Sequence, residues 1–168
     1  MSLRTFLSLL TCLVLLGCGE ETTQAVVAEE SGRDAVGHYC GMLISEHKGP
    51  KGQIVLTGTK PRVWFSSVRD ALTYADQEVA NEGEIAGFWV NDMSRGTWGE
   101  PAEGAWVPAK DAFYVVGSSK GSAMGGNEAV PFAERARAEA FAKEFGGKVV
   151  DFATAKREIA APVAGDDT

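Results

Sequence analysis

The order of short apolar runs constrains the fold of this chain more than any other feature. Two such runs, at residues 53–56 and 62–65, precede apolar residues at helical spacing: Val68, Ala71, Leu72, Ala75 and Val79. A third run follows at residues 85–90. The same order then returns. Runs at 112–116 and 128–132 precede a second helical stripe of Ala138, Phe141, Ala142 and Phe145, and a run at 149–152 follows it. Turn-forming residues punctuate the junctions at 57–61, 81–83 and 146–147. Ser66 or Ser67 can cap the first helix, which the spacing extends to about Ala80. Residues 91–111 read as a long connection with short extended pieces, and residues 155–160 as a short final helix. Each strand-strand-helix-strand unit is too small to bury a good core alone. The sequence therefore predicts an α+β fold in which two small ββα(β) units pack as a pseudo-repeat, with helices covering sheet faces.

The N-terminus has a different character. Arg4 is followed by an apolar run that ends at Leu16. A bilayer needs about 20 apolar residues, so this run reads as a signal peptide, residues 1–17. Its end, Leu15-Leu16-Gly17-Cys18, resembles a bacterial lipobox, in which Cys18 becomes the lipidated first residue. Leu16 departs from the small residue usual before the glycine. Gly19 follows the cysteine where an aspartate would signal inner-membrane retention, so outer-membrane sorting is expected. Acyl chains can anchor a protein without a spanning helix. Residues 18–35 then form a lipidated N-terminus and flexible tether, residues 36–160 the folded domain, and residues 161–168 a disordered tail. The chain is 168 residues long and 45% hydrophobic, enough for one core, and its net charge of −7 argues against nucleic acid as a partner.

That processing decides the cysteine chemistry. The chain has three cysteines. Cys12 leaves with the signal peptide and Cys18 takes lipid, so Cys40 has no partner for an intramolecular disulfide. It lies in His38-Tyr39-Cys40-Gly41-Met42, with a thioether two residues from the thiol. Soft sulfur ligands select soft metals, and Cu(I) suits a thiolate with a thioether. In an extended segment the two side chains would point the same way. A buried cysteine beside a core methionine fits the pentapeptide as well. Met124 sits in a loop of small residues, 121–127, with no core periodicity around it, and can supply a third sulfur. His38 and His47 are the two histidines, and either could add a nitrogen ligand. There is no CxxC, P-loop or HExxH motif.

Taken together, the lipobox, Tyr39-Cys-Gly-Met42, the segment 47–53, the run 111–116, Met124-Gly125, Pro131-Phe132 and the helix end at 145–149 resemble the NosL family. These are lipoprotein accessory factors of nitrous oxide reductase maturation, and the resemblance covers residues 38–152. It implies a pair of ββα-type units and a periplasm-facing Cu(I) metallochaperone of denitrification. Such a protein binds and transfers its metal without enzymatic turnover. It implies delivery towards the copper centres of nitrous oxide reductase through NosD and its ABC transporter. The family's cysteine falls on Cys40, its following methionine on Met42 and its later methionine on Met124. Met93 stands where relatives often carry tyrosine and gains no support as a ligand. A general periplasmic copper buffer would present the same site. An organomercurial-lyase-like enzyme is the further alternative, although that chemistry calls for more than one thiol.

Overall fold

The computed structural model describes residues 25–58, 61–77 and 83–160. The expected signal peptide, the expected lipidation site Cys18 and residues 161–168 lie outside the described residues. The first unit contains β1 (Gly52–Leu56), β2 (Val63–Phe65), α1 (Val68–Gln77), β3 (Ile85–Asn91) and β4 (Trp106–Pro108). The second contains β5 (Phe113–Val116), β6 (Val130–Phe132), α2 (Arg135–Phe145), β7 (Lys148–Val150) and α3 (Phe152–Ala160).

Both sheets are antiparallel, with orders β2-β1-β3-β4 and β6-β5-β7. In each unit the first strand is flanked by the second on one side and the third on the other. The expected pseudo-repeat is therefore a repeat of topology, to which the first unit adds β4. That strand is the extended piece expected within residues 91–111.

Strand alternation decides what each sheet face does. Ile54, Leu56 and Phe65 point towards α1 and pack with Ala71, Tyr74 and Ala75. Helix and strand approach so closely at Gly52 that a side chain there would collide with the Ala71 methyl. A larger cluster joins the two units: Val68 and Leu72 of α1, Val90 of β3, Tyr114 and Val116 of β5, and Ala155 of α3. Neither unit owns this core, as their small size requires. A third cluster holds α2 on the second sheet through Val115, Val130, Phe132 and Ala138, with Met93 and Trp98 against it.

Two sequence expectations are corrected. Phe152 begins a helix instead of ending a strand. Asp151 accepts a hydrogen bond from the Thr154 N–H at 2.8 Å, a side-chain cap that starts α3 three residues earlier than expected. The segment expected to be a flexible tether up to residue 35 is docked from Val27 to Glu30. The Glu29 N–H donates to Gln53 Oε1 and Gln53 Nε2 donates to the Glu29 carbonyl, at 3.0 and 2.9 Å. Arg62 donates to the Val27 carbonyl and pairs with the Glu29 carboxylate at 2.8 Å. Glu30 accepts from Trp106 Nε1 and the Gly104 N–H. These partners share the sheet face opposite α1, where Gln53 lies between Trp64 and Trp89 in register. The docked segment covers that face, which is how Gln53 comes to be fully buried.

Candidate metal site at the start of the first helix

Cys40 lies in a loop that closes on itself and adds to the edge of β2. Val36 pairs with Leu43, and Gly37 pairs with Trp64 of β2. The Gly37 N–H donates to the Met42 carbonyl at 2.9 Å, and the Gly41 N–H to the Gly37 carbonyl at 2.8 Å. The His38 N–H donates to the Trp64 carbonyl at 2.8 Å. Residues 38–40 thus form a turn instead of an extended segment, and Gly41 takes φ +63° to complete it. What presents the thiol is this turn geometry and not strand alternation.

The thiol is half-buried, and its neighbours come from three parts of the chain. Cys40 Sγ stands 3.9 Å from His47 Nε2 and 3.8 Å from Ser66 Oγ. It also lies 3.9 Å from the Gly37 carbonyl and 4.0 Å from the Met42 carbonyl. A side chain at position 37 would place its Cβ 2.6 Å from the sulfur, so the thiol occupies space that only glycine leaves open.

Each neighbour has a structural reason to be there. His47 follows a short 3-10 turn, Ile44–Glu46, that buries Ile44. The next stretch is gripped from inside by Lys51, whose Nζ donates to the His47 and Gly49 carbonyls at 2.7 Å each. Ser66 and Ser67 divide the work expected of either. Ser67 Oγ accepts the Asp70 N–H at 3.1 Å and caps α1, while Ser66 turns towards the thiol.

Buried and half-buried titratable groups lie behind these contacts. Glu128 is fully buried and accepts the Arg69 and Ala129 N–H groups at 2.8 and 2.9 Å. Burial pushes its carboxyl up to about 8, against the pull of those two hydrogen bonds and of Lys51, with Asp70 adding to the rise. Burial likewise lowers the Lys51 ammonium to about 8, with Glu128 opposing. The Asp70 carboxyl is raised by burial, opposed by its bond with Ser67 and by the charges of Arg69 and His47.

The sequence-derived candidates separate on this geometry. Cys40 and His47 are brought together. Met42 follows close behind the same turn and is 44% exposed. Met124 is 48% exposed in the loop 121–127. Arg69 Nη1 ties that loop to the start of α1 by donating to the Gly125 carbonyl at 3.1 Å. The His38 ring packs edge-on against Tyr39 and Tyr74, both at 5.1 Å between centroids, and against Phe65 at 5.8 Å. Sequence reasoning passed over Gly37, Lys51 and Ser66. The Ser66-Ser67 pair carried a usable signal, since a single helix needs only one of the two as its cap.

The chain is similar to known proteins along most of its length. The NosL family model matches residues 28–160. The copper-binding lipoprotein NosL of Achromobacter cycloclastes is 42% identical over 144 residues, covering 83% of this chain and 73% of the relative. The copper-binding lipoprotein NosL of Stutzerimonas stutzeri is 38% identical over 151 residues, covering 88% and 77%. The crystal structure of the copper chaperone NosL from Shewanella denitrificans superposes with a TM-score of 0.67 at 32% identity, over 74% of this chain and 93% of its own. The solution structure of apo-NosL from Achromobacter cycloclastes superposes with a TM-score of 0.51 at 40% identity, over 68% and 92%.

Proposed function

Because the chain belongs to the NosL family, we propose that it is a copper-binding lipoprotein that holds Cu(I) at Cys40 and passes it on. The observation that carries this reading is the 3.9 Å separation of Cys40 Sγ and His47 Nε2. Bonds of a metal to thiolate and imidazole, about 2.3 and 2.0 Å by analogy with zinc, sum to about 4.3 Å. One ion can therefore bridge the pair with little movement. Cys40 supplies the thiolate, and the soft Met42 and Met124 thioethers complete a set that favours Cu(I). His47 is the nitrogen donor of choice, since His38 is engaged among aromatic rings. The half-exposed methionines leave the site open, so an incoming ligand can attack the metal before Cys40 releases it. Binding must displace the thiol proton, so affinity rises with pH.

The destination in this proposal is the set of copper centres of nitrous oxide reductase, reached through NosD and its ABC transporter. The protein works from the periplasmic face of the outer membrane, anchored by lipid on Cys18. The family membership and the lipobox-like Leu15-Leu16-Gly17-Cys18 support that part of the reading.

An anaerobic titration of the full chain in detergent with Cu(I), against a competing chelator, tests the core of the proposal. Cys40→Ala is expected to weaken binding by more than about a hundredfold, beyond what loss of an outer partner costs. Equal binding by the two proteins would remove the site.

A further inference from the structure

The glycine loop of the second unit is held from outside by one side chain. The loop 121–127 closes its own neck: Gly121 pairs with Asn127, and the Ser122 N–H donates to the Gly126 carbonyl at 2.9 Å. Within the neck the Gly125 N–H donates to the Ser122 carbonyl at 3.0 Å. Met124 is left exposed at the tip. Arg69, the second residue of α1, reaches this tip. Its Nη1 donates to the Gly125 carbonyl at 3.1 Å. The guanidinium also fills the space that a side chain at Gly126 would occupy. The neck is anchored beside it, because Glu128, the residue after Asn127, accepts the Arg69 backbone N–H at 2.8 Å. Helix and loop are thus joined at two points by residues 69 and 128. Three residues before Arg69, Ser66 Oγ meets the Cys40 thiol.

We infer that Arg69 is a positioning residue for the copper site: it holds the loop tip against the start of α1, so that Met124 is presented at the helix end where Cys40 sits. The inference rests on the copper-binding reading above. A thioether carries no charge, so its contribution to affinity depends on how little loop freedom is lost when it binds. A loop already docked by Arg69 loses less. The planar guanidinium suits the task because it can lie over Gly126 while donating to the neighbouring carbonyl, a geometry an ammonium does not offer.

The test compares full-chain variants by anaerobic Cu(I) titration and by X-ray absorption, which counts sulfur neighbours of the bound copper. Arg69→Ala is expected to weaken binding about tenfold to a hundredfold, the range for an outer partner of a metal site. Its sulfur count should fall by one, as in Met124→Leu. The double variant should bind no more weakly than the weaker single one, because both changes remove the same contribution. If circular dichroism shows that Arg69→Ala has lost its fold, Arg69→Lys takes its place, with a several-fold loss and the same lower sulfur count expected. Additive losses, or an unchanged sulfur count in the Arg69 variant, would overturn the inference and leave the copper reading intact. Undiminished binding by Cys40→Ala would instead remove the reading on which it rests.

Discussion

The Cys40 loop and the Met124 loop lie at the same end of α1 but are fastened in different ways. Main-chain hydrogen bonds tie the Cys40 turn to itself and to β2, and Lys51 grips the adjoining His47 segment from the interior. The Met124 loop is closed at its own neck and held at its tip by a side chain of the helix. Main-chain pairing to a sheet edge moves only when the sheet moves. A side-chain latch can open by rotamer change alone. The thiol side is therefore preset and the Met124 side adjustable, a division that suits the proposed holding and release of a metal.

The largest effect that would sharpen this contrast is expected from Lys51→Met. It removes the charged donor to the His47 and Gly49 carbonyls and leaves both without that partner, at a cost of about 3 kcal/mol. Urea unfolding of the metal-free protein measures this. A loss below about 0.5 kcal/mol, the usual scale of surface changes, would show that the preset side does not depend on its interior clamp.

Next comes Gly37→Ala, whose new methyl would stand 2.6 Å from the Cys40 sulfur. Displacing the thiol from His47 should weaken Cu(I) binding by about tenfold to a hundredfold, or about 1.4 to 2.8 kcal/mol. Unchanged affinity would show that the turn adapts as readily as the methionine loop, and the contrast would fail.

The last effect is read as a slope against pH. Glu128 has its folded pKa raised from 4.5 to about 8. Between those values the folded chain keeps a proton that the unfolded chain has released. Its contribution is fully present below pH 4.5 and is lost as pH rises to about 8, with a slope of at most about 1.4 kcal/mol per pH unit. Glu128→Gln should flatten the slope. Thermal unfolding of both proteins from pH 5 to 7.5 tests this, and parallel profiles would assign the slope to other groups.

Much of the fold was legible. The two helical stripes and their flanking apolar runs led to both units, because burial on one face imposes a period that survives in the sequence. The docked N-terminal segment was not legible. Val27–Glu30 has no period of its own, and its partners Gln53, Arg62 and Trp106 are remote in sequence. The start of α3 was missed because Phe152 continues the apolar run of β7, and only the Asp151 cap separates them.

The sequence by itself determined the α+β repeat and the placing of a thiol two residues from a thioether, at Cys40 and Met42. Composition and local period suffice for such conclusions, because they follow from which residues must be buried and which reactive groups remain. Tertiary structure alone decided that His47 faces the thiol while His38 joins an aromatic cluster, and that Ser66, Gly37 and Lys51 shape the site. It also decided that Arg69 carries the Met124 loop to the start of α1. These are contacts between segments up to 56 residues apart, and the packing of two units around one core sets them.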